Sequence, residues 1–382
     1  PGGKLSAFSI DQYRFDAGPS LFTMPHYVDE LFTLCGEDPR DHFNYQKKEL
    51  ACKYFWEDGK RLSAYSDQEK YLQEVEHQLG VSPSVLKAYL AKAKKKYDLT
   101  VDLFLEKSLH RWSTLFSIKT LKALSQLPVF EINKSLDKVN RTDLKEPHLV
   151  QLYNRFATYN GSSPYQTPGI MTLIQHLESH YGTYIPVGGM VSISKSLFEL
   201  AQRQGVKFYF KQKVDKILYA NDKVEGVSIA GDKHQADFVV SNMDIFPTYR
   251  KLLPQLKAPE KTLNQERSSS ALIFYWGMNT SFPGLDLHNI LFSDDYPAEF
   301  DSIFNAKKLF PDPTIYINIT AKNIPQDAPA GHENWFVMIN TPAGEQLKWE
   351  KEIPLLKEYV IAKIERVLGE KVAPHIVAEE VL

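Results

Sequence analysis

Two stretches that lie more than a hundred residues apart decide how this chain folds. The first runs from Gly2-Gly3-Lys4 to Phe15-Asp16-Ala17-Gly18-Pro19-Ser20, and the second is Tyr184-Ile185-Pro186-Val187-Gly188-Gly189-Met190. Glycine reaches positive φ, and lets another group come close to the backbone, without the steric cost of a Cβ. Both stretches therefore place small residues where the main chain can approach a flat, charged ligand, although a Gly-rich turn without a ligand has the same pattern.

The charge and the cysteine content of the chain exclude several classes of protein. Its 382 residues carry 45 Lys and Arg against 47 Asp and Glu, so no basic field favours nucleic acid as a partner. The cysteines Cys35 and Cys52 are too few for a disulfide framework, and they favour a reducing, cytoplasmic setting. No apolar run approaches the roughly 20 residues that a membrane-spanning helix needs.

The two ends of the sequence suggest a piece of a longer chain. It begins at Pro1 rather than at Met, and it stops within the apolar alternation of residues 374–382. The glycine fingerprint of dinucleotide sites, Gly-x-Gly-x-x-Gly after a strand, is absent from these residues. Because a strand and a glycine turn could precede Pro1, this absence is weak evidence against a nucleotide cofactor.

Hydrophobic periodicity divides the chain into strand-rich and helical parts. The pattern predicts strands and turns up to residue 65, with a hairpin of 53–56 and 61–65, and helices from 67 to about 181. After residue 189 it predicts a helix from about Ser192 to Gly205. Further elements are then expected as strands at 206–210, 214–219, 224–229, 238–240, 271–276, 314–319 and 335–339, and as a helix at 355–368. Strand regions separated by a helical block predict a discontinuous α/β (α+β) protein.

A histidine pair and a run of lysines each allow a functional and a purely structural interpretation. His176 and His180 share one helical face at a spacing that can hold zinc, but a third ligand and a suitably placed glutamate are missing. A polar helix face is the default interpretation, and no metal site is predicted. The basic run Lys92, Lys94, Lys95 and Lys96 is typical of a solvated helix end or of a contact with anionic lipid.

Along nearly its whole length the sequence resembles carotenoid desaturases of the bacterial phytoene-desaturase type, within the flavin-dependent amine-oxidase-like fold. The stretches that carry the likeness, besides the two quoted above, are 160–165, 236–244, 249–253, 269–277, 328–331 and, most specifically, His288-Asn289-Ile290-Leu291-Phe292-Ser293-Asp294-Asp295-Tyr296. This resemblance implies a Rossmann-like FAD-binding domain, incomplete in this chain, together with a mixed-sheet substrate domain and a helical insertion.

The resemblance also implies where FAD binds. The implied cofactor-binding residues are Gly2, Gly3, Lys4, Gly18, Pro19, Ser20 and Val214. The first three would lie against the pyrophosphate, the next three near the isoalloxazine, and Val214 would contact the adenine through its backbone. Lys4 stands where the family usually has arginine, which keeps the charge but loses the bidentate fork.

The implied substrate is a lipophilic carotenoid, and the implied location is cytoplasmic, peripheral on a membrane surface. An oily rod binds through apolar area, so large apolar side chains should line its channel. From position and type we expect Tyr165, Tyr184, Met190 and Trp276 in this channel. No catalytic base is predicted, because proton loss to water or to the flavin serves equally well.

The resemblance predicts three domains. Residues 1–24 and 186–245 are expected in the FAD-binding domain, 25–65 and 246–382 in the substrate-binding sheet domain, and 66–185 in the helical domain. It also implies that the family's N-terminal glycine fingerprint and a C-terminal glycine-rich segment lie outside this sequence.

Several functional alternatives stay open from the sequence. The substrates of the family range from phytoene to γ-carotene and 1-hydroxycarotenoids, and nothing in the residues chooses among them. A carotenoid isomerase or saturase with the same cofactor is one alternative, and a flavin-free isoprenoid carrier on the same architecture is another. The number of steps, the electron acceptor and the oligomeric state are not readable from the sequence.

Overall fold

A computed structural model describes residues 2–104, 120, 126–265, 267–344 and 347–382. The chain divides into two compact units, a larger one of Pro1–Leu200 with Ser268–Leu382 and a smaller one of Ala201–Arg267. The three domains expected from the sequence have different boundaries, and that assignment stays a prediction.

The described residues contain the following regular elements. The strands are β1 (Ser6–Ile10), β2 (Tyr13–Ala17), β3 (Tyr45–Lys47), β4 (Leu50–Phe55), β5 (Arg61–Tyr65), β6 (Tyr184–Pro186), β7 (Val214–Ala220), β8 (Lys223–Ile229), β9 (Asp232–Gln235), β10 (Ser270–Met278), β11 (His288–Leu291), β12 (Ile315–Asn318), β13 (Glu333–Thr341) and β14 (Ile376–Val381). The α-helices are α1 (His26–Leu34), α2 (Gln68–Leu79), α3 (Pro83–Phe104), α4 (Leu127–Phe130), α5 (Leu136–Asp143), α6 (Pro147–Asn154), α7 (Ile174–Tyr181), α8 (Val191–Arg203), α9 (Ile245–Pro247), α10 (Glu260–Leu263), α11 (Tyr296–Asp301) and α12 (Trp349–Leu368).

The larger unit is built on a seven-stranded mixed sheet with the strand order β14-β10-β13-β12-β11-β4-β5. Its neighbouring strands run antiparallel except β4 and β11, which pair in parallel with Phe55 beside Leu291. The hairpin expected at 53–56 and 61–65 is confirmed as β4 and β5. The mixed sheet with a helical block confirms the predicted fold class.

Strand β10 shows how the sequence fills both faces of this sheet. Because successive side chains of a strand point to opposite faces, Phe274 and Trp276 share one face, where they pack in the cluster that includes Val360 of α12. Tyr275 belongs to the cluster of the other face, with Phe15 of β2. These side chains are fully or almost fully buried, and each contributes roughly 1.5–3 kcal/mol through apolar burial.

The basic run of α3 differs from the sequence-based expectation. Lys96 is completely buried, and its Nζ donates hydrogen bonds to Glu131 at 2.9 Å and to the Thr172 hydroxyl at 2.8 Å. Lys94, by contrast, forms an exposed pair with Asp98 one helical turn later. The expectation of a solvated or lipid-facing run is therefore wrong for Lys96, because a carboxylate from beyond the helix neutralises its charge.

The smaller unit contains the antiparallel meander β7-β8-β9. Asn221 and Asp222 connect β7 to β8 with φ values of 49° and 59°. A two-residue hairpin turn with both central residues at positive φ matches the right-handed twist of the strands. The strands expected at 214–219 and 224–229 are confirmed as β7 and β8.

Two other strand predictions for the smaller unit are wrong. Residues 206–210 and 238–240 are not in strands, although both are apolar runs. Phe238 and Val240 are 89% and 92% exposed. A strand needs a neighbour for its backbone hydrogen bonds, and neither run has a ladder partner within the described part of the chain.

Candidate functional site

The two glycine stretches meet in the structure through the side chain of Asp16. This residue lies in β2, and its carboxylate accepts hydrogen bonds from the backbone N–H groups of Met190 at 2.8 Å and Val191 at 3.2 Å. Val191 is the first residue of α8 and Met190 directly precedes it, where N–H groups have no partner within the helix. A carboxylate at a helix N-terminus satisfies them and also interacts favourably with the helix dipole.

Arg14 fixes this junction from the same strand. Its guanidinium lies 2.7 Å from the carboxylate of Asp16 and 3.0 Å from that of Asp327, and it also donates to the carbonyl oxygen of Gly188. Residues 14 and 16 of a strand point to the same side, so β2 presents the cation and the carboxylate together. The hydrogen bond from Arg14 to Gly188 thereby attaches the loop before α8 to β2, and the two ion pairs hold the guanidinium in place.

Three of the glycines are explained by contacts within the protein. A Cβ on Gly189 would lie 2.6 Å from the Asp16 carboxylate, and one on Gly18 would lie 2.2 Å from the carbonyl oxygen of Lys4. A Cβ on Gly2 would lie 2.5 Å from the hydroxyl of Ser194. These close contacts within the protein therefore favour glycine at the three positions whether or not a ligand is bound.

Gly3 and Gly188 have a different environment, and they test whether a flavin fits here. Both have positive φ, and no heavy atom lies within 4 Å of a Cβ built on Gly3, while the nearest to one on Gly188 is at 3.8 Å. Lys4 and Pro19 are exposed on the same hairpin. This surface fits a group that lies against the backbone, whereas the N-terminus of α8 is filled by Asp16 and does not fit a phosphate.

Beside this junction the larger unit encloses a cavity of about 200 Å³, with Ser20 on its wall. The hydroxyl of Ser20 is hydrogen-bonded to that of Tyr316 at 2.8 Å, which ties the end of the first glycine stretch to β12. Most of the wall is apolar or aromatic, as in sites for lipophilic ligands. The side chains of this kind are Leu21, Ala51, Tyr159, Ile290, Tyr296, Tyr316 and Met338.

A charged group lies at one side of the cavity. Arg155 follows α6 and lies 3.6 Å from the carboxylate of Glu178 in α7, which also accepts a hydrogen bond from the Tyr159 hydroxyl at 2.6 Å. A second guanidinium contact reaches the Tyr54 hydroxyl at 2.9 Å. Both charged side chains are only 12% exposed, so the pair is largely desolvated and depends on these hydrogen bonds.

His288, the first residue of β11, is the second polar group of the cavity. Its Nδ1 is 2.7 Å from the Tyr316 hydroxyl and 3.2 Å from the side-chain nitrogen of Asn318. Burial, aided by the positive charges of Lys48 and Arg155, lowers the pKa of His288 to about 3. The imidazole is therefore neutral at physiological pH.

Cys52 also lies on the wall, and burial raises its pKa to about 12. The thiol therefore stays protonated and is neither a nucleophile nor a base.

The four residues expected in the channel occupy three separate clusters. Tyr184 and Met190 pack together near Phe22, Tyr165 packs against the helical side of the sheet, and Trp276 is buried on the face covered by α12. The cavity wall contains none of the four among the described residues. Their role as channel residues stays a prediction, as does that of Val214, which begins β7 in the smaller unit.

Sequence reasoning did not single out the polar groups of the cavity. Arg155, Glu178 and Tyr316 come from three separate stretches, and only the fold brings them together. His288 carried one signal, because it opens the most specific stretch of the family resemblance. A lone histidine in a strand nevertheless has no pattern that distinguishes it from a core histidine.

With this geometry described, comparison with known proteins identifies the family. The profile of the family "Flavin containing amine oxidoreductase" matches residues 1–277. The chain belongs to this family. The 1-hydroxycarotenoid 3,4-desaturase of a Flavobacterium species is 55% identical over 381 residues, which is 100% of this chain and 78% of that protein.

Two further comparisons add a relative and a solved structure with the same fold. The 4,4'-diapolycopene oxygenase of a Methylomonas species is 32% identical over 383 residues, covering 99% of this chain and 77% of that protein. A solved oxidoreductase from Methanosarcina mazei has a TM-score of 0.59 at 15% identity over 99% of this chain and 78% of that one, which shows the shared fold. The resemblance to carotenoid desaturases is confirmed, and the chain is a flavin-dependent oxidoreductase acting on CH–CH groups.

Among the residues that the structure describes, no helix is both long enough and apolar enough to cross a bilayer.

Proposed function

We propose that this protein is an FAD-dependent carotenoid desaturase that introduces the 3,4 double bond into 1-hydroxylated carotenoids. Support comes from the 55% identity to a 1-hydroxycarotenoid 3,4-desaturase across the whole chain. The structural observation that carries the proposal is the mostly apolar cavity with Ser20 on its wall. It provides a place for an oily substrate at the end of the glycine stretch proposed to face the flavin.

The proposed cofactor residues are those that the family resemblance implies. FAD would lie against the exposed backbone of Gly2, Gly3 and Lys4, with Gly18, Pro19 and Ser20 near the isoalloxazine and Val214 near the adenine. Bound flavin supplies the acceptor for the two electrons and one hydrogen that leave a CH–CH bond, while the other hydrogen leaves as a proton. The contribution of the chain is to hold the reacting carbons in position.

The side chains of the cavity are better suited to positioning the substrate than to acid–base catalysis. His288 is a weak base, because its pKa is lowered to about 3, and Cys52 stays a thiol. We therefore propose that the substrate proton leaves to water or to the cofactor. Tyr165, Tyr184, Met190 and Trp276 remain proposed contacts for the long polyene beyond the cavity.

A carotenoid dissolves in membranes, so we also propose that the enzyme works in the cytoplasm, at a membrane surface from which the substrate enters. Apolar area at roughly 25 cal/mol per Å² supplies the affinity for such a ligand. Vesicle flotation of the full-length protein, with and without carotenoid, tests this part of the proposal. Recovery of the protein only in the vesicle-free fraction would contradict it.

The reaction is tested with full-length, FAD-loaded protein, liposomes that carry the carotenoid, and a quinone as the final electron acceptor. A desaturase lowers the substrate mass by two hydrogens and shifts its absorption to longer wavelength. A gain of oxygen would favour the oxygenase activity named for the 32% identical relative. An unchanged mass would favour an isomerase, and colourless protein that takes up no FAD would favour a carrier.

A further inference from the structure

Two buried N–H groups at the cavity lack a hydrogen-bond partner. Nε2 of His288 and Nε of Arg155 are both inaccessible to water, and neither has a partner among the described residues. Both side chains lie on the wall of the same cavity, and His288 is 3% exposed. Buried donors without acceptors are rare in native proteins, and each one calls for an explanation.

The hydrogen-bond pattern fixes the tautomer of His288. The side-chain nitrogen of Asn318 donates to the Leu287 carbonyl at 3.0 Å, which orients this amide, and it also lies 3.2 Å from Nδ1 of His288. An amide nitrogen can only donate, so Nδ1 of the ring is the acceptor. In a neutral imidazole the proton then sits on Nε2, the atom that has no partner.

Arg155 is held in place by its other contacts. Its terminal nitrogen reaches the Tyr54 hydroxyl and faces Glu178, and its guanidinium carbon lies 4.5 Å from the ring centre of Phe156. These contacts leave Nε–H unpaired. The positive charge of Arg155 also contributes to the lowered pKa of His288, after burial and Lys48.

We propose that the Nε2–H of His288 and the Nε–H of Arg155 bind the oxygen atom of an oxygenated carotenoid end group. This inference rests on the proposed function and adds the residues that select the oxygenated substrate. Both unpaired groups are donors, so the site is matched to a lone-pair acceptor rather than to a hydrocarbon end. The neighbouring carboxylate of Glu178, also on the wall, can accept the hydrogen of a hydroxyl.

The positions of His288 and Arg155 suit oxidation of a C–C bond close to the bound oxygen atom of the substrate. In a 1-hydroxylated carotenoid, C3 is two C–C bonds from the carbon that bears the hydroxyl, or roughly 2.5 Å at about 1.5 Å per bond. His288 is linked through the Tyr316 hydroxyl to Ser20, which the family resemblance places near the isoalloxazine. An oxygen held at His288 would therefore leave the 3,4 bond near the end of the first glycine stretch.

The expected effect is discrimination between oxygenated and unoxygenated substrates. A site built to hydrogen-bond a hydroxyl rejects the analogue that lacks it, because the buried donors then stay unpaired. For two donors we expect kcat/KM to be at least about 10²-fold higher for a C1-hydroxylated acyclic carotenoid than for its deoxy counterpart.

The test compares His288→Asn with His288→Gln in the full-length, FAD-loaded enzyme. The Asn side chain keeps a polar group near Nδ1 but loses the donor near Nε2, whereas Gln can place an N–H there. H288N should lower the hydroxy-to-deoxy ratio of kcat/KM by about 10-fold or more, and H288Q should retain most of the ratio. Flavin content and thermal melting check that each variant is folded.

Three outcomes separate the inference from the proposed function. If wild-type enzyme desaturates neither substrate, the proposed function fails. If it desaturates both with equal kcat/KM, or if H288N keeps the wild-type ratio, the oxygen site is overturned while the desaturase assignment stands. If H288N fails to bind flavin, the hydroxy-to-deoxy ratios of the wild type and of H288Q decide. Equal kcat/KM for the two substrates in the wild type overturns the oxygen site, and a ratio of about 10² that H288Q largely retains supports it.

Discussion

The contact between Asp16 and α8 should be the main attachment of the second glycine stretch to the first. In Asp16→Ala, the backbone N–H groups of Met190 and Val191 lose their acceptor in a buried position. Each unsatisfied amide costs about 1–3 kcal/mol, so the free energy of unfolding should fall by about 2–6 kcal/mol. Arg14 keeps its partner Asp327, which is why we expect no further loss from an unpaired buried cation.

A matched control is available at another helix. Asp67 caps α2 by accepting a hydrogen bond from the Lys70 N–H at 2.8 Å, but this residue is exposed. Asp67→Ala should therefore cost only about 1 kcal/mol, the usual value for an N-cap. Urea denaturation of the flavin-free protein, followed by tryptophan fluorescence, gives both values under identical conditions.

The same variant also tests the link to the cofactor. If Asp16 positions the loop of Gly188 and Gly189, flavin content should fall more in D16A than in D67A, and added FAD should raise its melting temperature less than that of the wild type. A D16A variant that loses no more stability than D67A, and that binds flavin normally, would refute the reasoning.

Three further measurements follow from the same contacts. Burial raises the pKa of Glu299 from 4.5 to about 7, so the folded state binds this proton more tightly, and unfolding free energy should fall by about 3 kcal/mol as pH rises from 4.5 to 7. Subtracting the pH profile of E299Q should recover that slope, and parallel profiles would contradict it. Gly189→Ala should destabilise the protein by several kcal/mol more than Gly36→Ala. Both glycines have positive φ, but only a Cβ on Gly189 would meet other atoms. Equal melting temperatures of the two variants would argue against this. Lys96→Ala should cost about 3 kcal/mol in urea titrations and Lys94→Ala less than about 0.5, and similar values would show that the buried pair is not stabilising.

Local sequence patterns predicted much of the fold. The hairpin of β4 and β5 and the helix α8 were predictable because their signals, a turn between alternating strands and an apolar stripe ending at Gly205, lie within about 20 residues of sequence. The strand expected at 238–240 shows the limit of this approach. An apolar run predicts burial, but its actual burial depends on whether a partner strand lies beside it.

The candidate site was predictable only in part, for a related reason. The glycine stretches were found because glycine leaves a readable mark wherever positive φ or close approach is required. Arg155 and His288 left no such mark, since each is a common residue type whose role depends on partners from other elements, Tyr54 for Arg155 and Tyr316 for His288. The buried Lys96 was misread for the same reason, because Glu131 neutralises it from outside its helix.

The parallel pairing of β4 with β11 has a consequence for how the chain matures on the ribosome. The inner edge of β4, where Phe55 will lie beside Leu291, cannot be covered until residues more than two hundred positions later have been synthesised. At 5–20 residues per second this wait lasts roughly 10–50 s. During that interval the nascent chain presents an open edge next to aromatic side chains, which is the situation in which chaperones protect growing polypeptides from aggregation. Soluble yield on overexpression should accordingly depend on chaperone supply and growth temperature.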